Sequence, residues 1–238
     1  MTMFALVPTQ RCGRGLDRLR PPGDLHRGCS YDDDLFFGVM PSHPRLRRKV
    51  YNPYLSYFLS LPAGCIRDPN LPLDDNLEGA IPSWLEFKFP IVSYFSWAVP
   101  TQSAVDVVVR HAERVVEIGA GSGYWAWLLS QAGAAVMAFD CSPRSNTWYP
   151  VYPGDERSAA EYYNAALFLC WPPAGTDMAF NALSNFRGDC VIYVGEWMRG
   201  NAEPEFFRLL SEAFERIESV AIPQWLMRTD RLSVYKRV

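Results

Sequence analysis

The sequence predicts an α/β fold built on a mostly parallel sheet with helices on both faces. From Arg114 onward, apolar runs alternate with stretches of helical spacing: "RVVEIG", "GYWAWLLSQAG", "AAVMAFD", then "ALFLCW", "DMAFNALSNFRGD" and "CVIYVGE". Repeated strand–helix alternation lays the strands side by side in parallel. The strand runs are apolar throughout rather than at every second residue, as strands covered on both faces require. The first run closes on three glycines at alternate positions, in "EIGAGSGYW". A turn without side chains at the carboxyl end of a parallel strand is where such sheets meet their ligands.

The elements follow in order. Residues 1–49 are rich in Arg, Pro and Gly, show no sustained period, and read as a basic arm. Residues 50–100 are dense in aromatics and punctuated by prolines ("YNPYLSYFLS", "SWLEFKFPIVSYFSWAVP"), which predicts short helices and turns forming a lid. Residues 101–238 form the sheet-bearing domain. Thr101 is placed to cap a helix over "QSAVDVVVRHA", with Val105, Val108 and Val109 on one face. The helix after the glycine turn is closed by Gly133, and the second strand ends at Asp140. An irregular stretch, Cys141–Glu156, precedes a short helical "ERSAAEYYNA". Pro204 opens "PEFFRLLSEAFERIESV", where Phe206, Leu210, Phe214 and Ile217 follow helical spacing. The tail "QWLMRTDRLSVYKRV" reads as an antiparallel hairpin around a Thr229–Asp230–Arg231 turn.

Composition narrows the class. The chain has 238 residues, 49% hydrophobic and 21% charged, the balance of a soluble globular protein. A net charge of −3 argues against nucleic acid as the first partner, because phosphate neutralisation needs a basic excess. The charge is uneven, however. The first 49 residues hold nine Lys/Arg against five Asp/Glu, and the remainder holds 14 against 21. Six scattered cysteines with no C-x-x-C, and no secretory leader, point to free thiols in a reducing, cytoplasmic setting. Three histidines without metal-ligand spacing point to no metal. The longest apolar stretch, Phe89–Val105, is broken by Pro90 and Pro100, so no membrane span is expected.

The glycine spacing separates ligand classes. A dinucleotide fingerprint would put its third glycine at position 124, where Tyr124 stands, and a phosphate loop would end in Gly-Lys-Ser/Thr, which is absent. What remains is Glu117, then Gly119, Ala120, Gly121 and Gly123, with Asp140 at the end of the next strand. From about Thr101 to Val238 this closely resembles class I S-adenosylmethionine-dependent methyltransferases. The combination of "EIGAGSGYW", "LCWPP" and "YVGE" is similar to a set of methyltransferase-domain proteins within that family.

The resemblance implies a Rossmann-like, doubly wound, seven-stranded sheet closed by a C-terminal antiparallel hairpin. It also implies S-adenosyl-L-methionine as cofactor, with Asp140 on the ribose diol and Glu117 near the ammonium of its methionine end. Tyr124 and Cys170 flank the same turn and the next strand end, and Trp97 and Thr101 lie in the segment that roofs the cofactor in related folds. After "LFLC", Trp171 stands where amino-group methyltransferases of nucleobases carry a polar acceptor, and Ala174 where they carry an aromatic. Trp171 either faces the sulfonium, a cation that aromatic faces attract, or packs in the core where Pro172 and Pro173 stop the strand. Glu196, ending the next strand, is either a general base or a loop acid. Asp155 in "PGDER" is either an adenine-binding acid or a surface turn residue. Tyr94, Pro172 and Arg48, the last in the basic "RLRRK" segment, are candidates for holding the substrate. The expected function is methyl transfer to a small molecule. The alternatives are an inactive scaffold of the same fold, or a methyltransferase that docks protein or RNA through its basic arm.

Overall fold

The computed structural model describes residues 48–61, 66–67, 81–199 and 201–238; the side chains of residues 67 and 81–87 are outside the description. The arm, apart from Arg48 and Lys49, lies outside the described residues.

The first described helix, α1 (Pro53–Leu59), begins where Asn52 Oδ1 accepts the Leu55 amide and Pro53 fills the first helical position. After a two-residue strand, β1 (Ile66–Arg67), comes α2 (Ile81–Tyr94), with Pro90 inside it. Next is α3 (Gln102–His111), capped as expected: Thr101 Oγ1 accepts the Ala104 amide at 3.1 Å. Its buried face is Ala104, Val105, Val107 and Val108.

The sheet domain continues with β2 (Arg114–Ile118), α4 (Tyr124–Gln131), β3 (Ala135–Asp140) and β4 (Tyr152–Pro153). After a 3-10 turn over Glu156–Glu161 come β5 (Ala166–Cys170), α5 (Met178–Asn185), β6 (Cys190–Gly195) and α6 (Pro204–Ala213). The last strands are β7 (Phe214–Ala221), β8 (Gln224–Trp225) and β9 (Arg231–Arg237). Seven of the strands form one sheet in the order β4-β3-β2-β5-β6-β9-β7. Pairings from β4 through β6 are parallel, and β9 runs antiparallel to both of its neighbours. On one face, Val116, Ile118, Leu167 and Leu169 pack with Ala179, Leu183, Phe206 and Leu210 of α5 and α6. α4 covers the other face, where Trp125 meets Phe168 with ring centroids 5.4 Å apart. The strand order reverses at β2, between β3 and β5, so the carboxyl ends of β2, β3, β5 and β6 share one edge around that point.

Two expectations about the C-terminal region are corrected. The helix from Pro204 stops at Ala213, and Phe214–Ala221 is a strand paired with β9. Ile217 sits at a register shift between Arg216 and Glu218 and is 45% exposed, not on a buried helical face. Ladder bonds to β9 outweigh the helical spacing of "FERIESV", whose Ile217 and Val220 also favour strand. The hairpin is therefore β7 with β9. Gln224–Trp225 instead pairs with β1 in a separate two-stranded sheet, Ile66 opposite Trp225.

The aromatic segment before the sheet docks by polar anchors inside an aromatic cluster. The Tyr54 amide donates to Tyr124 Oη at 3.0 Å, Tyr124 Oη donates to Asn52 Oδ1 at 2.9 Å, and Trp225 Nε1 donates to Tyr54 Oη at 3.0 Å. The Tyr54 and Phe95 rings stack with centroids 4.6 Å apart. Among the described residues no helix is long and apolar enough to cross a membrane.

The Thr101 cap opens α3, the first helix of the domain. Thr101→Ala should cost about 1 kcal/mol and lower the melting temperature by roughly 2–4 °C, measured by thermal denaturation followed by circular dichroism.

Candidate active site

The turn after β2 is pinned from below and left open above. The Gly119 and Ala120 amides both donate to the Phe139 carbonyl, at 2.8 and 2.9 Å, which ties the turn to the end of β3. Gly121 has φ +57° and Gly123 φ +69°, a conformation that side chains with Cβ rarely adopt. A Cβ at Gly123 would press on the Tyr149 carbonyl and Val151 at 3.0 Å, so this glycine serves packing. A Cβ at Gly121 would meet nothing within 4 Å, so this glycine faces open space. The Gly121 amide donates to Asp140 Oδ2 at 2.9 Å, and the Ser142 amide to Asp140 Oδ1 at 2.9 Å. A carboxylate has about four lone-pair sites, so each Asp140 oxygen keeps acceptor capacity after these two bonds.

Beside the turn lies a cavity of about 130 Å³. Its walls include Glu117, Gly119, Ala120, Gly121, Tyr124, Trp97 and Cys170, seven residues singled out from sequence. Phe95, Ser96 and Arg144 also line it; Arg144 donates to the Ser93 carbonyl at 2.6 Å. Glu117 is 2% exposed, and its Oε2 has no hydrogen-bond partner. Burial pushes its carboxyl up to about 8, against a hydrogen bond from the Ala126 backbone and with some help from the Asp140 charge. Once ionised, a buried carboxyl with an idle oxygen on a cavity wall can pair with a cation. Cys170 Sγ lies 3.6 Å from Ser96 Oγ, and burial holds its thiol protonated.

The other candidates do not line this cavity. Trp171 follows Cys170 with φ +53°, its ring stacked on Trp97 with centroids 5.4 Å apart and its Nε1 donating to Asp230 Oδ1 at 2.7 Å. The Arg228 guanidinium lies 4.9 Å from the Trp171 ring centroid. Glu196 is 2% exposed, with its oxygens taken up: Oε2 accepts Arg228 Nη1 at 2.9 Å, and Oε1 accepts the Thr229 amide and hydroxyl at 2.9 and 3.0 Å. It ties the end of β6 to the residues before β9. The Thr101 hydroxyl is used in capping α3. The Tyr94 ring packs edge-on against Phe95 and Trp148, and its carbonyl accepts Trp148 Nε1. Pro172 is buried, its carbonyl accepting the Ala202 amide. Arg48 is exposed, its carbonyl bound by Gln102 Nε2. Asp155 caps the 3-10 turn through the Arg157 amide and pairs with the Arg157 guanidinium, which holds its carboxyl below the usual range.

Three buried residues near these elements carry no sequence signal. Trp148 is buried, and its amide donates to the Ser122 carbonyl, closing the loop after Asp140 over the glycine turn. Lys88 is 1% exposed, its ammonium 5.4 Å from the Trp97 centroid, 5.7 Å from Trp171 and 5.4 Å from Trp225. Asp230 is 1% exposed and engages Trp171. A Lys inside a helix and an Asp in a turn carry no spacing signal, so these could not be picked out. Among the described residues no group of three or more His, Cys, Asp or Glu side chains is placed to hold a metal ion.

No protein-family model and no curated protein matches the sequence. Among solved structures, the chain is similar to 1,6-didemethyltoxoflavin-N1-methyltransferase from Burkholderia thailandensis, with bound S-adenosylhomocysteine. The identity is 16%, over 73% of this chain and 94% of that one, with a TM-score of 0.44. It is also similar to magnesium protoporphyrin IX methyltransferase from Synechocystis with bound SAM, at 15% identity over 57% and 77% of the two chains and a TM-score of 0.42. An rRNA methylase from Streptococcus thermophilus matches at 14% identity over 57% and 95%, with a TM-score of 0.40. Likenesses this distant assign no activity to the chain.

Burial of Glu117 makes stability depend on pH. Its carboxyl is raised in the fold, so between about 4.5 and about 8 the native state holds a proton that the unfolded chain has lost. Stability is then greatest in acid and falls as pH rises through that window, by roughly 1.4 kcal/mol for each pH unit crossed. Asp230, raised to about 7 chiefly by burial, adds in the same direction. The melting temperature should drop from pH 5 to pH 8, and Glu117→Gln should flatten the drop while matching the wild type at pH 5. A pH series of melting curves on both proteins checks this.

Proposed function

We propose that this chain is a class I S-adenosylmethionine-dependent methyltransferase acting on a small-molecule acceptor. The observation that carries the reading is the joint placement of the unpartnered Glu117 oxygen, the open face of Gly121 and the Asp140 carboxylate along one sheet edge. These residues fit the cofactor's chemistry: a cation for Glu117, a vicinal diol for Asp140, and a close backbone approach at Gly121. When bound, the cofactor supplies a methyl group on a sulfonium centre with a thioether as leaving group.

The chain's own residues hold and enclose. Glu117 in its ionised form neutralises the cofactor's ammonium, and a cation beside it brings its carboxyl down from about 8. The remaining acceptor capacity of Asp140 takes the two ribose hydroxyls in charge-assisted bonds. Phe95, Trp97 and Tyr124 wall the cavity and exclude water. A cavity of about 130 Å³ is smaller than the ~300–1,000 Å³ of pockets that enclose a drug-sized ligand, so it encloses only part of such a cofactor. Alignment of acceptor and donor can supply most of the acceleration, since orientation alone contributes roughly 7–11 kcal/mol in favourable cases. A small molecule is the acceptor best suited to a cavity walled by the aromatic segment, and the acidic remainder of the chain repels a polyanion.

Binding tests the reading. At a hundredfold excess over its dissociation constant, S-adenosylmethionine should stabilise by about 2.7 kcal/mol and raise the melting temperature by roughly 5–10 °C. Asp140→Asn should weaken binding at least about tenfold by titration calorimetry. Glu117→Gln should shrink the ligand-induced shift even though it stabilises the free protein at pH 8. No shift in the wild type would overturn the reading, and binding without turnover on any acceptor would favour the scaffold.

A further inference from the structure

The cavity carries two opposite charges that are not spent on each other. Among the described residues that line it, Glu117 is the one acid and Arg144 the one base. Glu117 Oε2 has no hydrogen-bond partner, and Arg144 is not among the charges that bear on the Glu117 carboxyl. Arg144 comes from the loop after β3 and is exposed, so it stands at the cavity rim. One bond from Nη1 to the Ser93 carbonyl, at 2.6 Å, holds it there, and Ser93 itself lines the cavity. A guanidinium carries a fork of N–H donors, and among the described residues only this one is engaged. The loop does not depend on Arg144 for its closure. Trp148 fastens it separately, its Nε1 donating to the Tyr94 carbonyl at 2.9 Å and its amide to the Ser122 carbonyl at 2.8 Å.

An acid and a guanidinium held apart on one wall match a ligand that carries both an ammonium and a carboxylate. An α-amino acid head bears the two groups on one carbon, and the cofactor of the reading above ends in such a head. We propose that Arg144 binds the α-carboxylate of the cofactor while Glu117 holds its ammonium, so that the cavity reads a zwitterion rather than a cation alone. The inference rests on the methyltransferase reading and adds the residue that makes its cofactor site selective. The cavity of about 130 Å³ has the volume of roughly four water molecules in the liquid. That matches the amino-acid head and leaves the rest of the cofactor to the open face of Gly121 and to Asp140. Arginine suits the task because its planar fork meets both oxygens of a carboxylate at once. At the rim the pair stays partly in water, which keeps its strength below that of a fully buried pair.

The test uses the full chain and two probes, S-adenosylmethionine and decarboxylated S-adenosylmethionine, which differ only in the α-carboxylate. Both carry the ammonium, so the cost of ionising Glu117 falls on both alike. By titration calorimetry the wild type should bind S-adenosylmethionine at least about fivefold more tightly than the decarboxylated probe. Arg144→Gln, whose amide can still donate to the Ser93 carbonyl, should erase that preference while binding the decarboxylated probe as the wild type does. Equal affinity of the wild type for the two probes would overturn the proposal. So would a preference that survives in Arg144→Gln, which would put the carboxylate elsewhere, such as on the first turn of α4, where no side chain caps the helix. Equal weakening of both probes in Arg144→Gln would make Arg144 a clasp for the loop and overturn it as well. If neither probe raises the melting temperature of the wild type, the methyltransferase reading itself fails.

Discussion

The bond from the Gly121 amide to the Asp140 carboxylate is the constraint on which the candidate site depends. It ties the turn after β2 to the end of β3, two points nineteen residues apart that parallel pairing has already brought together. Past that amide the chain turns in the left-handed conformation that glycine adopts without strain. Once made, the bond holds the turn's open face beside the cavity and leaves the carboxylate with spare acceptor capacity. The Phe139 carbonyl, bound by the Gly119 and Ala120 amides, adds a second tether from the same strand end. The turn is therefore set by one side-chain bond and two backbone bonds to the same strand end, and the Asp140 carboxylate keeps acceptor capacity for whatever binds.

Around this fixed edge the protein keeps unusual electrostatic company. Glu117 and Asp230 are both buried carboxylates with one unpartnered oxygen, and the charges of both reach Cys170. Trp97 lines the cavity with Glu117 and stacks on Trp171, which donates to Asp230; Lys88 and Arg228 are close to the Trp171 ring. Idle buried acceptors are poor contributors to stability. Of the two, Glu117 lines the cavity, which fits the cation-receiving role proposed for it.

Much of this was legible in the sequence where a local rule governs. The glycine turn, Asp140 at a strand end and Thr101 as a cap all follow from backbone chemistry that short spacing reports. Four of the five parallel strands were legible because burial on both faces leaves an unbroken apolar run; the two-residue β4 lies in the stretch expected to be irregular and has no such run. Phe214–Ala221 was not, since its helical spacing lost to a ladder formed with residues far along the chain. The partner that occupies Glu196 is thirty-two residues away, and Asp230 meets Trp171 across fifty-nine. Such pairings depend on how strand ends are brought together, which no window of sequence contains. The loop after Asp140 was seen to be irregular, but its Trp148 closure over the turn depends on a tertiary contact with Ser122.

The position of β9 has a consequence for assembly. It lies between β6 and β7, although β7 precedes it in the chain. While the polypeptide is being made, β6 emerges with its outer edge unpaired, and β7 has nowhere to add until residues 231–237 arrive to separate them. The strand that completes the sheet is thus an insertion rather than an extension. Closure of such non-local pairings is slow because chain entropy is lost before the contacts repay it. For that interval an apolar strand edge is open to other chains, which makes the supply of this last segment the step at which folding and aggregation compete.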